Sequence, residues 1–305
     1  MTSTQQQVAA RFLLALALAW SPLATALAAQ EPEWAVIPQA PAQQLADYRR
    51  ITAALDALKP QRPGVVDAYV IVVALDGDPV FSREAREAGR VLATRFDAAG
   101  RTIVLANDEG GSKADAPGSP ETLQLALARV AELMDRNEDV LILYSTSHGE
   151  PDGGLVYKDL QRGGGLVAPA RLATMLSSLG FKNRLIILQA CFAGQFIPAL
   201  RGEGSIVVTA AAADRSSFGC QAGNDWTYFG DALINHAFRQ PLPLVIQIQR
   251  AWGLIAAAEG RDQLQPSNPQ LSIGSGAAKW LGRLEEREPK STSDPVGQSV
   301  LGLGK

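Results

Sequence analysis

Two apolar runs that stop at chemistry-bearing residues organise this chain. Residues 140–147, VLILYSTS, end at His148 and Gly149, and the stretch RLIILQACFAG at 184–194 is apolar over 185–188 before Gln189, Ala190 and Cys191. Short continuous apolar runs bounded by polar or small residues mark strands buried on both faces. Parallel strands of an open α/β sheet deliver their carboxyl ends to one edge, where ligands bind. The pattern therefore predicts that an imidazole and a thiol far apart in the chain share one sheet edge.

The remaining pattern fills in such a sheet. Residues 31–43 are rich in Pro, Ala and Gln and read as an extended arm, and Leu45, Tyr48, Ile51, Leu55 and Leu58 recur at helical spacing until Pro60 and Pro63. Strands are predicted at 67–75 and 101–106, with a helix over 83–96 capped by Ser82 between them, and the cluster Asp76, Gly77, Asp78, Pro79 stopping the first strand. Ser119 and Pro120 open a helix whose buried face is Leu123, Leu127, Val130 and Met134. Further on come an accessory strand at 153–157, a flexible turn at 163–165, a helix at 169–179 and a core strand at 204–210. A polar loop at 214–224 holding Cys220 follows, then helices at 225–238 and 244–258 and a last strand at 268–273. Strands alternating with helices imply a mainly parallel sheet covered on both faces.

Composition narrows the function. The chain is 47% hydrophobic and 19% charged with a net charge of -3, and its Lys and Arg are scattered, so it offers no basic footprint for nucleic acid. Residues 1–28 read as a secretory signal peptide: Arg11 precedes an apolar stretch at 12–20, then Pro22 and the small-residue site Ala26, Leu27, Ala28. Export to the periplasm or the extracellular space is the expectation, with no stable membrane insertion after cleavage. The predicted organisation is the signal peptide, an N-terminal arm and helix at 29–59, one catalytic domain at 60–283 and a flexible tail at 284–305.

Cys191 and Cys220 are the only cysteines, too few for a disulfide scaffold, and two readings stay open: they pair with each other, or Cys191 is a free nucleophile. His148, Cys191, Cys220 and His236 lack the close spacing of a zinc site, and no cofactor or metal is expected. A strand-end thiol near an imidazole and before a helix is placed to act as thiolate. Ala193 and Gly194 leave the backbone free to approach a carbonyl, and the amides of Cys191 and Gly149 are candidates for an oxyanion hole. His148 would protonate the leaving amine.

Ser-His-Gly after one apolar strand, then Gln-Ala-Cys-x-x-Gly after another with His before Cys, resembles the legumain-like family of cysteine peptidases (peptidase C13). Its relatives include the caspases and the catalytic subunit of the glycosylphosphatidylinositol transamidase; papain-like enzymes carry Cys first. TAAAADRSSFGC at 209–220, YFGD at 228–231 and, more weakly, SREA at 82–85 are similar to further family stretches. The resemblance implies a caspase/legumain-like three-layer sandwich, an α/β fold with a mainly parallel sheet of about six strands flanked by helices. It implies Cys191 as nucleophile, His148 as acid/base and Gly149 as oxyanion donor, with Arg83, Ser216 and Asp231 lining the pocket for the side chain before the scissile bond. In legumain that pocket selects Asn. Two departures stand beside that pocket: Gln189 replaces the family's Glu, and Glu84 its His. Plainer roles compete: Arg83 as a solvated side chain, Asp231 and His236 as helix-dipole partners, Ser216 as a loop cap, Cys220 as structural.

The function expected is an exported cysteine endopeptidase acting on protein or peptide substrates through a Cys191 thioester. A transpeptidase of the same chemistry and a non-catalytic binding module on the same fold are the alternatives.

Overall fold

Uninterrupted burial is what makes the central strands. The computed structural model describes residues 34–107, 114–288 and 292–303, so the leader expected at 1–28 lies outside the described residues. β1 (Trp34–Val36), which falls in the expected arm, is followed by helix α1 (Pro41–Asp56) and then by β2 (Ala68–Ala74), seven residues that are all buried. α2 (Pro79–Arg95), β3 (Thr102–Leu105), α3 (Pro120–Leu133) and the fully buried β4 (Val140–Thr146) come next. A meander of β5 (Gly149–Glu150), β6 (Gly154–Asp159) and β7 (Gly163–Val167) leads into α4 (Pro169–Ser178) and β8 (Asn183–Gln189). After α5 (Ile197–Leu200) and β9 (Ser205–Thr209), the chain forms α6 (Tyr228–Gly230), α7 (Leu244–Arg261), β10 (Gln270–Ile273) and α8 (Ala277–Glu285).

The main sheet has six strands in the order β10-β9-β8-β4-β2-β3, parallel except where β10 runs against β9. Period-two alternation sends each strand's side chains to both faces. On one face Val70 and Val72 pack with Phe81 and Leu92 of α2, Phe229, Ile248 of α7 and Trp280 of α8. On the other Tyr69, Ile71 and Val73 pack with Ile51 of α1, Leu127 and Val130 of α3 and Leu172 and Leu176 of α4. The result is the three-layer α/β sandwich expected from the sequence.

Four expectations are corrected. α2 begins at Pro79 with Asp78 at its N-cap, so Ser82 lies buried inside the helix instead of capping it. The glycine run expected as a flexible turn is β7, in which Gly163 pairs with Val36 of β1 because a Cβ there would lie 2.0 Å from the Ala35 carbonyl oxygen. The helix expected at 225–238 starts at Tyr228 after the Thr227 cap and passes through a π-helical segment, Asp231–His236, before a 3₁₀ turn. The tail expected to be flexible is tied down by hydrogen bonds at positions between Ser293 and Leu301, with Leu301 buried.

Candidate active site

The register of β4 against β8 brings the two candidate catalytic residues to one edge. Thr146 pairs with Gln189, and the Ser147 N–H donates to the Gln189 carbonyl at 3.1 Å. His148 and Cys191 each follow two residues beyond that last pair, so they leave the sheet side by side. Gly149 sits so close to this junction that a Cβ there would lie 2.1 Å from the Cys191 carbonyl oxygen. Phe192, next after Cys191, has φ +58°, in the left-handed region that L residues enter only when their surroundings force it. Its N–H donates to the Arg215 carbonyl at 2.8 Å, tying the bend to the loop after β9.

That loop reaches the sulfur. The Ser217 N–H donates to Cys191 Sγ at 3.3 Å, and Sγ lies 3.4 Å from the Ser217 carbonyl oxygen, the acceptor available to the neutral thiol. These two contacts fix where the sulfur sits. Both cysteines are free, so of the two readings the sequence left open the structure takes the unbridged one. Burial pushes the Cys220 thiol up to about 12, which keeps it protonated and unreactive.

His148 is held from the end of β2. Its ring N–H donates to Asp78 Oδ2 at 3.3 Å, which leaves the other ring nitrogen with a lone pair to act as base. Buried Phe81 meets the ring edge-on at 5.0 Å. Asp78 is fixed in turn by Lys158 Nζ at 3.2 Å, and its N–H donates to Asp76 Oδ1 at 2.9 Å. Burial alone would raise the Asp78 carboxyl, but the hydrogen bonds from Lys158 and His148 hold it below its ordinary value. Asp76, 1% exposed, is pushed up by burial against the pull of that backbone N–H and of Lys158. The backbone of Lys158 is paired to the extension of β2, with Gly77 N–H donating to the Lys158 carbonyl at 2.7 Å, so β6 and β2 carry this cluster together.

The residues expected to line a substrate pocket separate. Gln189 is fully buried beneath the edge, where its Oε1 accepts from Thr146 at 3.0 Å, and it cannot touch substrate. Asp231 is also fully buried; Ser299 Oγ at 2.6 Å, the Val300 N–H at 2.9 Å and Asn235 Nδ2 at 2.8 Å all donate to it. Arg83 is partly exposed on α2 and ties down the Cys220 loop through the carbonyls of Ala222 and Asn224 and an ion pair with Asp225 at 3.5 Å. Ser216 is exposed beside the sulfur-binding Ser217. Glu84 points into the core, where it accepts from Tyr144 Oη at 2.6 Å and Thr227 Oγ1 at 2.7 Å, so it supplies no acid to the pocket. His236 pairs with Asp231 at 3.3 Å from the other end of the same π-helical segment.

Asp78, Lys158 and Ser217 belong to the site and were not singled out in the sequence. A signal existed for the first: the cluster at 76–79 that ends β2 follows the same strand-end logic that located His148 and Cys191.

Residues 121–242 match the model of the Peptidase C13 family, the family that the motifs around His148 and Cys191 resemble. The match supports a cysteine-peptidase type of function. No curated protein matches. Among solved structures, caspase-1 from Spodoptera frugiperda is similar at 15% identity with a TM-score of 0.43, over 71% of this chain and 93% of the caspase chain. Among the described residues no helix is long and apolar enough to cross a membrane.

Proposed function

We propose that this chain is a legumain-like member of the peptidase C13 family and an exported cysteine endopeptidase in which Cys191 and His148 cleave peptide bonds through a thioester. One observation carries the reading: the paired register that makes His148 and Cys191 leave adjacent parallel strands at the same level. The Cys191 sulfur, positioned by the Ser217 N–H, adds to the scissile carbonyl as its proton leaves, with amides near Gly149 and Cys191 receiving the negative oxygen. The thiol proton goes to His148, which passes it to the leaving amine. Water, deprotonated by the same imidazole, then hydrolyses the thioester and frees Cys191. Asp78 keeps the ring in the tautomer and orientation that both transfers need.

Arg83 and Ser216 are the pocket candidates that solvent reaches, and a guanidinium and a hydroxyl are each able to donate to a short side chain ending in a carbonyl or carboxylate oxygen. Cleavage after Asn or Asp is the proposed preference. Export rests on the leader-like residues 1–28.

The test is Cys191→Ala. Peptide-library cleavage and alkylation at that position should both vanish while the circular dichroism spectrum stays unchanged. Retained cleavage by the variant would refute the assignment. A parent protein that is alkylated but cleaves no peptide would make the fold a binding module. Replacing Asp78 by Asn should lower kcat about a hundredfold or more, with a smaller change in KM.

A further inference from the structure

The acidic residues behind His148 do more than orient it. Among the described residues, Asp76, Asp78 and His148 each offer one ligand atom, and those atoms all lie within 4.8 Å of one another. Asp76 is 1% exposed, and while its Oδ1 accepts the Asp78 N–H, its Oδ2 is buried without any hydrogen-bond partner. A buried carboxylate oxygen left unpaired is destabilising, so the site is built to receive something the chain itself does not supply. Lys158 Nζ is the nearest cation, at 3.9 Å from Asp76 Oδ1 and 3.2 Å from Asp78 Oδ1, and it leaves Oδ2 of Asp76 unsatisfied.

We propose that Asp76, Asp78 and His148 form a binding site for a divalent transition-metal cation of the zinc type, and that the bound cation withdraws His148 from catalysis. The second half rests on the peptidase reading above; the first does not. One imidazole nitrogen and two carboxylates are a three-ligand set of the kind zinc accepts with a fourth position open to water, whereas calcium and magnesium ask for more oxygens. Ligand atoms on a tetrahedral zinc stand about 3.4 Å apart, so the cluster must close by up to about 1.4 Å. The side chains of His148 and Asp78 are 38% and 34% exposed and have room for that movement, while buried Asp76 is the fixed member. Lys158, half-exposed on β6, is the internal competitor: a divalent ion must displace its ammonium, so a loosely bound regulatory cation fits this site better than a permanent one.

Cobalt(II) reports on such a site by its visible d–d absorption and is titrated into the Cys191→Ala protein, so that sulfur cannot bind it. Saturable binding of one equivalent is expected. Asp76→Asn in that background should weaken it at least about tenfold. Lys158→Ala should tighten it about threefold. Absence of a saturable spectrum, or an Asp76→Asn protein that binds like its parent, would overturn the proposal. So would a spectrum seen only while Cys191 is present, which would put the ion on the thiolate. If Asp76→Asn is unfolded by circular dichroism, Asp78→Asn is judged by the same two outcomes. Cobalt binding in a parent protein without peptidase activity would leave the site standing and remove only the inhibition; with activity present, zinc should inhibit the parent at lower concentration once Lys158 is Ala.

Discussion

At the scale of single residues, the catalytic edge depends on how closely two strand tips approach, and Gly149 sets that distance. Any Cβ at 149 would press on the Cys191 carbonyl at 2.1 Å and on the Ala190 Cβ at 3.1 Å, so the tips must separate to admit it. Gly149→Ala should therefore lower kcat/KM at least about a hundredfold, as expected for a misplacement near 1 Å, and lower stability by about 1–3 kcal/mol. Peptide turnover and thermal unfolding of the same preparation check both. Undiminished turnover would mean that His148 and Cys191 do not act as one unit. The pair itself was legible in the sequence because both residues close apolar runs. Asp78 was not, since in sequence it reads as part of a strand stop, and only its position at the α2 N-cap turns its carboxylate toward the imidazole. Gln189 misled for a related reason: it precedes Cys191 by two residues, but on a strand buried on both faces its side chain goes under the sheet edge.

Between elements, Glu84 is the buckle. From α2 it accepts hydrogen bonds from Tyr144 on β4 and from the backbone and side chain of Thr227, the cap of α6, and Gly230 has no Cβ because one would lie 2.0 Å from the carboxylate. Burial lifts this carboxyl above its ordinary range, with the hydrogen bonds from Tyr144 and Thr227 pulling the other way. A folded-state value above the unfolded one means that the folded protein binds the proton more tightly. Stability therefore declines as pH rises from the ordinary carboxylate range through the folded value. Glu84→Gln keeps a neutral side chain of the same shape and removes that slope, so its unfolding free energy relative to the parent should improve steadily from acid to neutral pH. Urea unfolding at a series of pH values measures the difference; a constant difference would show that Glu84 ionises alike in both states. Strands such as β2, β4 and β8 were readable because continuous burial leaves continuous apolar sequence. β7 was not, since its pairing with β1 is so close that glycine replaces the alternation a strand normally shows.

Over the whole molecule, the tail ties the far helices to the catalytic edge, and no local pattern announces it. The stretch from Val296 to Leu301, VGQSVL, mixes Val and Leu with Gly, Gln and Ser without a helical or strand period, and it follows a Ser- and Pro-containing segment, which reads as unstructured until its partners are known. Those partners are distant: Val296 takes hydrogen bonds to its carbonyl from Trp226 and Asn235, Gln298 N–H donates to Asp225 at 2.7 Å, and Ser299 and Val300 donate to Asp231. Asp225 also pairs with Arg83, and the loop between Arg215 and Asn224 carries the Ser217 amide that contacts the Cys191 sulfur. Burial works to raise the Asp231 carboxyl, yet hydrogen bonds from His236, Ser299 and Asn235 keep it below its ordinary value, so it is a buried charge that relies on the tail for part of its support. A chain ending at residue 291 strips two close donors from that carboxylate, a loss of roughly 2–4 kcal/mol. Its loop at 215–224 also loses the anchor at Asp225. The truncated protein should melt lower and show reduced kcat/KM even at temperatures where it is fully folded, and a synthetic peptide of residues 292–305 added in trans should restore part of both. Ser299→Ala should give a fraction of the stability loss with the tail still attached. A truncated protein with unchanged melting and unchanged turnover would show that Asp231 and the sulfur-binding loop hold their places without the tail.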